Sequence, residues 1–202
     1  MNRLLFTLTI LTFSILFSQQ HYKVIINDSS RLLINGQANI TDYTCELEEK
    51  LSSKQLMVTA NFKPRSITLD SAKLRIMVSN FDCGIAKMNS DFQESMKAEE
   101  FPYMTLQLNQ IYLNDDPQDK RDTFDANVLI TIANVSNYYD IEFSHRQRAD
   151  GYTVIRGKHQ MLMTDFKIVP PTALFGLIRV YGNIEIEFEL ILKVVATKKP
   201  SN

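Results

Sequence analysis

Residues 184–195 read IEIEFELILKVV and carry the clearest secondary-structure pattern of the chain. One set of alternate positions is wholly apolar and comprises Ile184, Ile186, Phe188, Leu190, Leu192 and Val194. The other set is mostly charged and comprises Glu185, Glu187, Glu189, Ile191, Lys193 and Val195. Because successive side chains of a strand point to opposite faces, this alternation predicts a β-strand with one apolar and one polar face.

Alternating runs elsewhere in the chain predict further strands. Their apolar positions are Leu74, Ile76 and Val78; Met104, Leu106 and Leu108; Val128, Ile130 and Ile132; Tyr139, Ile141 and Phe143; and Ile155, Met161 and Met163. A short turn is expected at residues 134–137, and shorter strands are expected within 22–26, 38–48 and 55–62. About eight strands joined mostly by short turns favour antiparallel pairing.

One segment has the pattern of a helix. Residues 91–100 read DFQESMKAEE, with Ser90 as a candidate N-cap and Gln93 as its capping-box partner. Phe92 and Met96 fall on one helical face, and Pro102 stops the helix. We therefore expect a sheet that closes on itself or folds into two layers, covered by one short helix.

The N-terminus has the pattern of an export signal. A short start containing Arg3 precedes residues 4–17, LLFTLTILTFSILF, which carry no charge. This run is shorter than the roughly 20 residues of a spanning helix, so a signal over 1–18 cleaved near Ser18 is favoured over an uncleaved anchor. The prediction is a periplasmic or secreted domain over residues 19–197, no membrane span after cleavage, and a disordered tail over 198–202.

Composition excludes several classes of protein. The 202 residues are 45% hydrophobic, which is too apolar for a disordered chain. Lys and Arg number 22 against 23 Asp and Glu, so the chain lacks the basic surplus of a general nucleic-acid binder. One globular domain is expected, with a homo-oligomer as an open possibility.

The sequence contains no clear catalytic motif. His21, His145 and His159 form no recognised catalytic or zinc-binding motif. His159 shares the parity of Met161, so it either makes a polar contact inside a cavity or is an ordinary satisfied or surface histidine. The aspartates Asp115, Asp116, Asp119, Asp122 and Asp125 lack the spacing of a calcium loop and predict a solvated hairpin. We expect no enzyme, no cofactor and no metal.

Two features of the residues leave alternatives open. Cys45 and Cys83 form one disulfide if the chain is exported, or otherwise remain as two buried thiols. Met and Phe recur at the inward positions of the predicted strands, which suits either a filled core or an interior with room for one apolar ligand.

The chain resembles the YceI-like family in two blocks. The first is VSNFDCGIAKMNSDFQESMKAEEFPYMTLQL at residues 78–108. The second comprises VLITIANVSNYYDIEF, VIRGKHQMLMTDFKIVPP and FGLIRVYGNIEIEFELIL, in the order and spacing of the family. The resemblance implies an exported, lipocalin-shaped antiparallel barrel whose interior holds a long amphiphile of isoprenoid type. It also favours the Cys45–Cys83 disulfide, because a subgroup carries an early-strand Cys and an Asp-Cys-Gly turn.

These expectations combine into a carrier that sequesters an isoprenoid-type or fatty chain without chemistry. Strand parity nominates the ligand-binding residues Met104, Leu106, Leu108, Ile130, Ile141, Phe143, Ile155, Met161, Met163, Phe188 and Leu190, with Phe81, Phe101 and Phe166 as a rim beside the helix. The chain has no Trp, unlike many members of the family, so the identity of the lipid does not carry over. The alternatives are a filled barrel acting as a structural or interaction module, and an outer-membrane barrel.

Overall fold

The computed structural model of the chain describes residues 19–51, 55–113 and 122–197, without the side chains of residues 173 and 174. The predicted signal segment, the predicted tail and most of the Asp-rich loop lie outside the described residues.

The described residues form thirteen strands and one α-helix. The strands are β1 Gln19–Ile26, β2 Arg31–Ala38, β3 Asp42–Leu47, β4 Gln55–Lys63, β5 Ser66–Asp70, β6 Lys73–Met77, β7 Phe81–Asp82, β8 Tyr103–Tyr112, β9 Thr123–Ile132, β10 Val135–Gln147, β11 Thr153–Leu162, β12 Thr172–Ala173 and β13 Ile178–Thr197; the helix is α1 Ala86–Ser95. Short 3-10 helices lie before β7 and on either side of β12.

Eight of these strands close into a ring. Neighbouring strands pair in the order β1-β4-β5-β8-β9-β10-β11-β13, and β1 pairs with β13 to complete the circle. Every pair is antiparallel. The predicted fold class, an antiparallel barrel of about eight strands with one short helix, is confirmed, and the two-layer alternative is excluded.

The strand predicted over residues 184–195 is longer than the sequence pattern indicated. β13 runs for 20 residues, and its stretch from Val180 to Glu189 also pairs with β2. β2 in turn pairs with β3, and β3 pairs with β7. Ile184, Ile186 and Phe188 are buried on the inner face, as predicted. Ile191 was expected on the polar face, yet it is only 5% exposed, and its pairing partner Val154 on β11 is buried too.

The turn between β9 and β10 is tighter than expected. Ile132 pairs directly with Val135, so only Ala133 and Asn134 form the turn. Both residues have positive φ, 47° and 61°. Two consecutive left-handed residues are the geometry that matches the twist of a two-residue hairpin, so β10 starts at Val135, inside the segment that was predicted as the turn.

The helix begins earlier than predicted, and the expected Ser90 cap is wrong. α1 starts at Ala86 because the side chain of Asn89 holds the preceding chain: its Oδ1 accepts from Cys83 N at 2.6 Å, and its Nδ2 donates to Asp82 Oδ1 at 2.8 Å. Asp82 Oδ1 also accepts from Gly84 N at 3.1 Å, and these hydrogen bonds lower the pKa of Asp82. Ser90 is therefore inside the helix.

The two ends of the barrel differ in packing. Where β8 begins and β9 and β11 end, Met104, Ile132, Met161 and Phe166 are at most 4% exposed, and we call this the closed end. Where β13 and β4 end, Val194 and Phe62 are 55% and 37% exposed, and we call this the open end. The apolar core is therefore concentrated at one end of the barrel.

Candidate binding cavity

The inner faces of the barrel strands enclose a cavity of about 340 Å³. It is lined by Tyr22, Val24, Ile26, Leu32, Leu56, Val58, Ala60, Phe62, Ile67, Leu69, Ala72, Leu74, Leu106, Leu108, Ile111, Phe124, Val128, Ile130, Ile141, Phe143, Ile155, His159, Ile186, Phe188, Leu190, Leu192 and Val194. Among these described lining residues, only Tyr22 and His159 carry a polar atom in the side chain. The volume is near the lower end of the range found for small-molecule sites.

The cavity has a mouth at the open end and a floor at the closed end. On β13 its lining runs from Ile186 to Val194, and on β9 it runs from Phe124 to Ile130. Tyr22 lies near the mouth, and its hydroxyl donates to Gln20 Oε1. The tightly packed residues of the closed end lie beyond Ile130 and Ile186, so the cavity is blind.

Three phenylalanines meet on one wall of the cavity. Phe124 and Phe143 stack with ring centroids 5.3 Å apart, and Phe143 lies 5.2 Å from Phe188. Gly157 on β11 pairs with Phe143 on β10 and with Phe188 on β13. Because Gly157 has no side chain, the rings of both neighbours occupy the space above it, and this contact shapes the wall.

His159 is the next inward-facing residue after Gly157 and places an imidazole in the deep part of the cavity. Its ring lies 4.9 Å from the ring of Tyr139, and it makes no hydrogen bond to any described residue. Burial lowers the pKa of His159 below its ordinary value of 6.5, so the imidazole is neutral at pH 7. A neutral imidazole offers one donor and one acceptor.

A hydrogen-bonded turn fixes the ring beside His159. Tyr139 donates from its hydroxyl to Asp165 Oδ2 at 3.2 Å, and the same oxygen accepts from Leu162 N at 3.1 Å. Asn137 Nδ2 donates to the carbonyl oxygen of Asp165 at 2.8 Å. Burial, and then the charge of Asp165, raise the pKa of Tyr139 to about 12. Tyr139 therefore stays protonated and keeps its ring in place.

The structure places eight of the fourteen nominated ligand-binding residues in the cavity lining. These are Leu106, Leu108, Ile130, Ile141, Phe143, Ile155, Phe188 and Leu190. The other six, Met104, Met161, Met163, Phe81, Phe101 and Phe166, pack within the apolar core or against it. Strand parity predicts which side of the sheet a residue faces, but it does not predict the height along the barrel axis at which the core becomes solid.

The predicted aromatic rim beside the helix belongs to that solid core. Phe81 contacts Phe92 of α1, with ring centroids 5.5 Å apart, and is 2% exposed. Phe166 is 0% exposed, and Phe101 is partly buried against the core. The mouth is instead bordered by Phe62 and Val194. The reason is that the helix covers the closed end of the barrel and not the open one.

Sequence reasoning missed the part of the lining contributed by β1, β4 and β5. Val24, Leu56 and Leu69 face the cavity from these strands. β1 and β4 were recognised only as short candidates, and β5 was not recognised at all, because SITLD is too short to show a clear alternation. Ile186 and Leu192 lie on the same face of β13 as Phe188, so the alternation that predicted Phe188 as a ligand-binding residue could have predicted them too.

The two cysteines form a disulfide, as the resemblance implied. Cys45 on β3 is bonded to Cys83, which follows β7. Both residues are buried within the apolar core. Within the described ranges, no three His, Cys, Asp or Glu side chains are arranged to hold a metal ion. No helix in the described part of the chain has the length and hydropathy needed to cross a bilayer.

These features define the class: a closed antiparallel barrel with an apolar cavity that opens at one end. No protein-family model matches the sequence, and no curated protein matches it either. Solved structures do share the fold. Burkholderia cenocepacia BcnA is 14% identical over 82% of this chain and 96% of its own, with a TM-score of 0.57.

A second solved structure extends the comparison. The polyisoprenoid-binding domain from Saccharophagus degradans, implicated in plant cell wall breakdown, is 9% identical over 86% of this chain and 98% of its own, with a TM-score of 0.55. A Campylobacter jejuni YceI protein is 15% identical over 82% of this chain and 86% of its own, with a TM-score of 0.48. The barrel fold of this chain is thus shared with BcnA and with the Saccharophagus degradans domain.

Proposed function

We propose that this chain is an exported, non-enzymatic carrier that sequesters one amphiphilic lipid chain, of isoprenoid type or a fatty chain, inside its barrel. The observation that carries the proposal is the cavity of about 340 Å³, whose described lining is apolar except at Tyr22 and His159. Burying one methylene group contributes about 0.8 kcal/mol, so a chain of ten carbons can be held by burial alone.

Two further observations support the proposal. The Saccharophagus degradans domain that shares the fold is a polyisoprenoid-binding domain. The disulfide between Cys45 and Cys83 is the kind of bond that forms and persists in oxidising compartments, which supports export to the periplasm or the medium. Membership of the YceI-like family and the absence of catalysis are part of the proposal.

The filled-barrel alternative predicts different behaviour from the same strands. A filled barrel has no space to accept a larger side chain, whereas the proposed cavity has space next to Ala60, a small lining residue on β4. Overpacking a solid core costs about 1 to 3 kcal/mol. Substitution at Ala60 therefore distinguishes the two functions.

The experiment is native mass spectrometry of the chain purified without detergent and incubated with farnesol or dodecan-1-ol. We expect one lipid per chain in the wild type, no bound lipid in Ala60→Phe, and unchanged stability of that variant. Met57→Phe is the matched control, since Met57 is on the same strand and 53% exposed. Failure of the wild type to bind either lipid, with Ala60→Phe destabilised, would favour the filled barrel.

A further inference from the structure

We propose that the cavity selects a neutral, oxygen-bearing single-chain lipid, such as an alcohol, an aldehyde or a ketone, whose oxygen hydrogen-bonds to His159 in the deep part of the barrel. The inference rests on the proposed lipid-binding function and deepens it. It assigns the polar end of the lipid to the interior and the chain to the mouth.

The chemistry of the lining excludes a charged group from the interior. None of the described lining residues is Lys, Arg, Asp or Glu. A carboxylate or phosphate placed there would lose its hydration without gaining a counter-ion, and such burial is very costly. A hydroxyl or a carbonyl oxygen costs far less to bury, and a single hydrogen bond compensates much of that cost.

His159 is the group that can supply this hydrogen bond. It lies between Gly157 and Met161 on the inner face of β11, opposite Ile186 of β13, and its neighbours in the lining are apolar. Its ring nitrogens make no hydrogen bond to any described residue, and the side chain is part of the cavity lining. The ring of Tyr139, held by Asp165, packs against the imidazole and limits its rotation.

The neutral state of the imidazole fits an uncharged oxygen. A neutral ring can donate to a carbonyl through its N–H, or accept from a hydroxyl through its other nitrogen. It offers no positive charge to an anionic head group. The mouth, by contrast, exposes Phe62 and Val194, which suit the end of an apolar chain.

The test compares three probes of similar size: decan-1-ol, undecane and decanoate at pH 8. Dissociation constants are measured by displacement of the neutral fluorophore N-phenyl-1-naphthylamine from wild type, His159→Phe and the control His21→Phe. His21 is a suitable control because it alternates with the lining residues of β1 and its Nδ1 bonds Thr59. The ratio of the dissociation constants for decan-1-ol and undecane is compared between wild type and variant. As in a double-mutant cycle, the change in this ratio measures the contribution of the hydrogen bond to the alcohol.

We expect His159→Phe to lower the preference for decan-1-ol over undecane by about tenfold, and His21→Phe to leave it unchanged. Decanoate should bind at least about tenfold more weakly than decan-1-ol. An unchanged preference in His159→Phe, or decanoate binding as tightly as the alcohol, overturns the inference while leaving lipid binding intact. If no probe binds the wild type, the proposed function itself fails.

A measurement on the wild type covers the case in which the variant does not fold. Nuclear magnetic resonance of the ¹⁵N-labelled imidazoles reports the hydrogen bonding of each ring nitrogen. Decan-1-ol should shift the His159 ring nitrogens while undecane leaves them near their free values. Equal shifts with both probes, or no shift with the alcohol, contradict the assigned contact.

Discussion

The ring of Phe188 occupies the space that a side chain at Gly157 would fill. A Cβ on Gly157 would lie 2.7 Å from Phe188 Cζ and 3.1 Å from Phe143 Cδ1. The two residues are paired across β11 and β13, so this contact follows directly from the register of the sheet. A glycine is needed at this position because the ring of Phe188 approaches its backbone closely. The same ring forms part of the cavity wall.

Gly157→Ala should therefore destabilise the protein and distort the cavity. The added methyl group forces Phe188 and Phe143 to move, and overpacking of this kind costs about 1 to 3 kcal/mol in free energy of unfolding. Urea unfolding measures the loss. Gly182→Ala on β13 is the matched control, because its nearest contact would be 3.4 Å, to Pro170 Cγ. Equal stability of both variants would show that the ring moves aside freely.

Affinity for straight-chain alcohols should rise with chain length and then level off. The lining of β4 and β9 spans seven residues of strand and that of β13 spans nine, which corresponds to a depth of about 15 to 20 Å at the usual strand tilt. An extended carbon chain advances roughly 1.2 Å per bond, so about 12 to 16 carbons fit.

Dissociation constants for octan-1-ol through octadecan-1-ol test this depth. Each added methylene should tighten binding about fourfold until the chain reaches the limit. A steady rise through eighteen carbons would show that the chain is buried over a greater length than the lining of these strands provides.

Stability should depend on the protonation of His159. Burial lowers the pKa of His159 below 6.5, so the unfolded chain takes up the proton at a higher pH than the folded protein does. The stability contributed by the neutral imidazole is fully present above about pH 6.5 and is lost as the pH falls through the folded pKa. Urea unfolding at a series of pH values should show a steeper acid loss in the wild type than in His159→Phe. Parallel curves would contradict this origin of the pH dependence.

Loss of the disulfide should weaken the fold without affecting the cavity. Cys45 and Cys83 are 38 residues apart in sequence. In the chain-entropy description, closing a loop of this length adds about 3 to 4 kcal/mol to the free energy of unfolding. We expect Cys45→Ala/Cys83→Ala to lose that much in urea unfolding but to bind decan-1-ol with wild-type affinity at low temperature, because neither cysteine lines the cavity. Weakened binding in a folded variant would show that the two regions are coupled.

Much of the fold could be predicted from period-two alternation. The pattern of Ile184, Ile186 and Phe188 identified the central strand, and similar runs identified β6, β8, β9, β10 and β11. β5 and the exact turn at Ala133 and Asn134 were missed, because a five-residue strand and a two-residue turn leave too few positions for a pattern. The predicted start of the helix was wrong because the hydrogen bonds of the Asn89 side chain to Cys83 and Asp82 fix an earlier start than a cap at Ser90 would.

The sequence predicts which face of the sheet each residue lies on, but it does not predict the position of the residue along the barrel axis. Leu106 on β8 and Ile155 on β11 line the cavity, whereas Met104 and Met161, which have the same parity on these two strands, are packed in the floor. Which end of the barrel is solid depends on long-range packing by α1 and by the turn that contains Phe166. Such packing leaves no periodic trace in the sequence.

The most direct test of a lipid chain inside the barrel is isotope-filtered nuclear magnetic resonance of the protein with ¹³C-labelled dodecan-1-ol. We predict nuclear Overhauser contacts from the chain protons to the methyl groups of Leu106, Ile130 and Ile186, which line the cavity. Leu129 and Val195 alternate with lining residues and should show none. Contacts to Leu129 and Val195 in place of the inner residues would contradict the account.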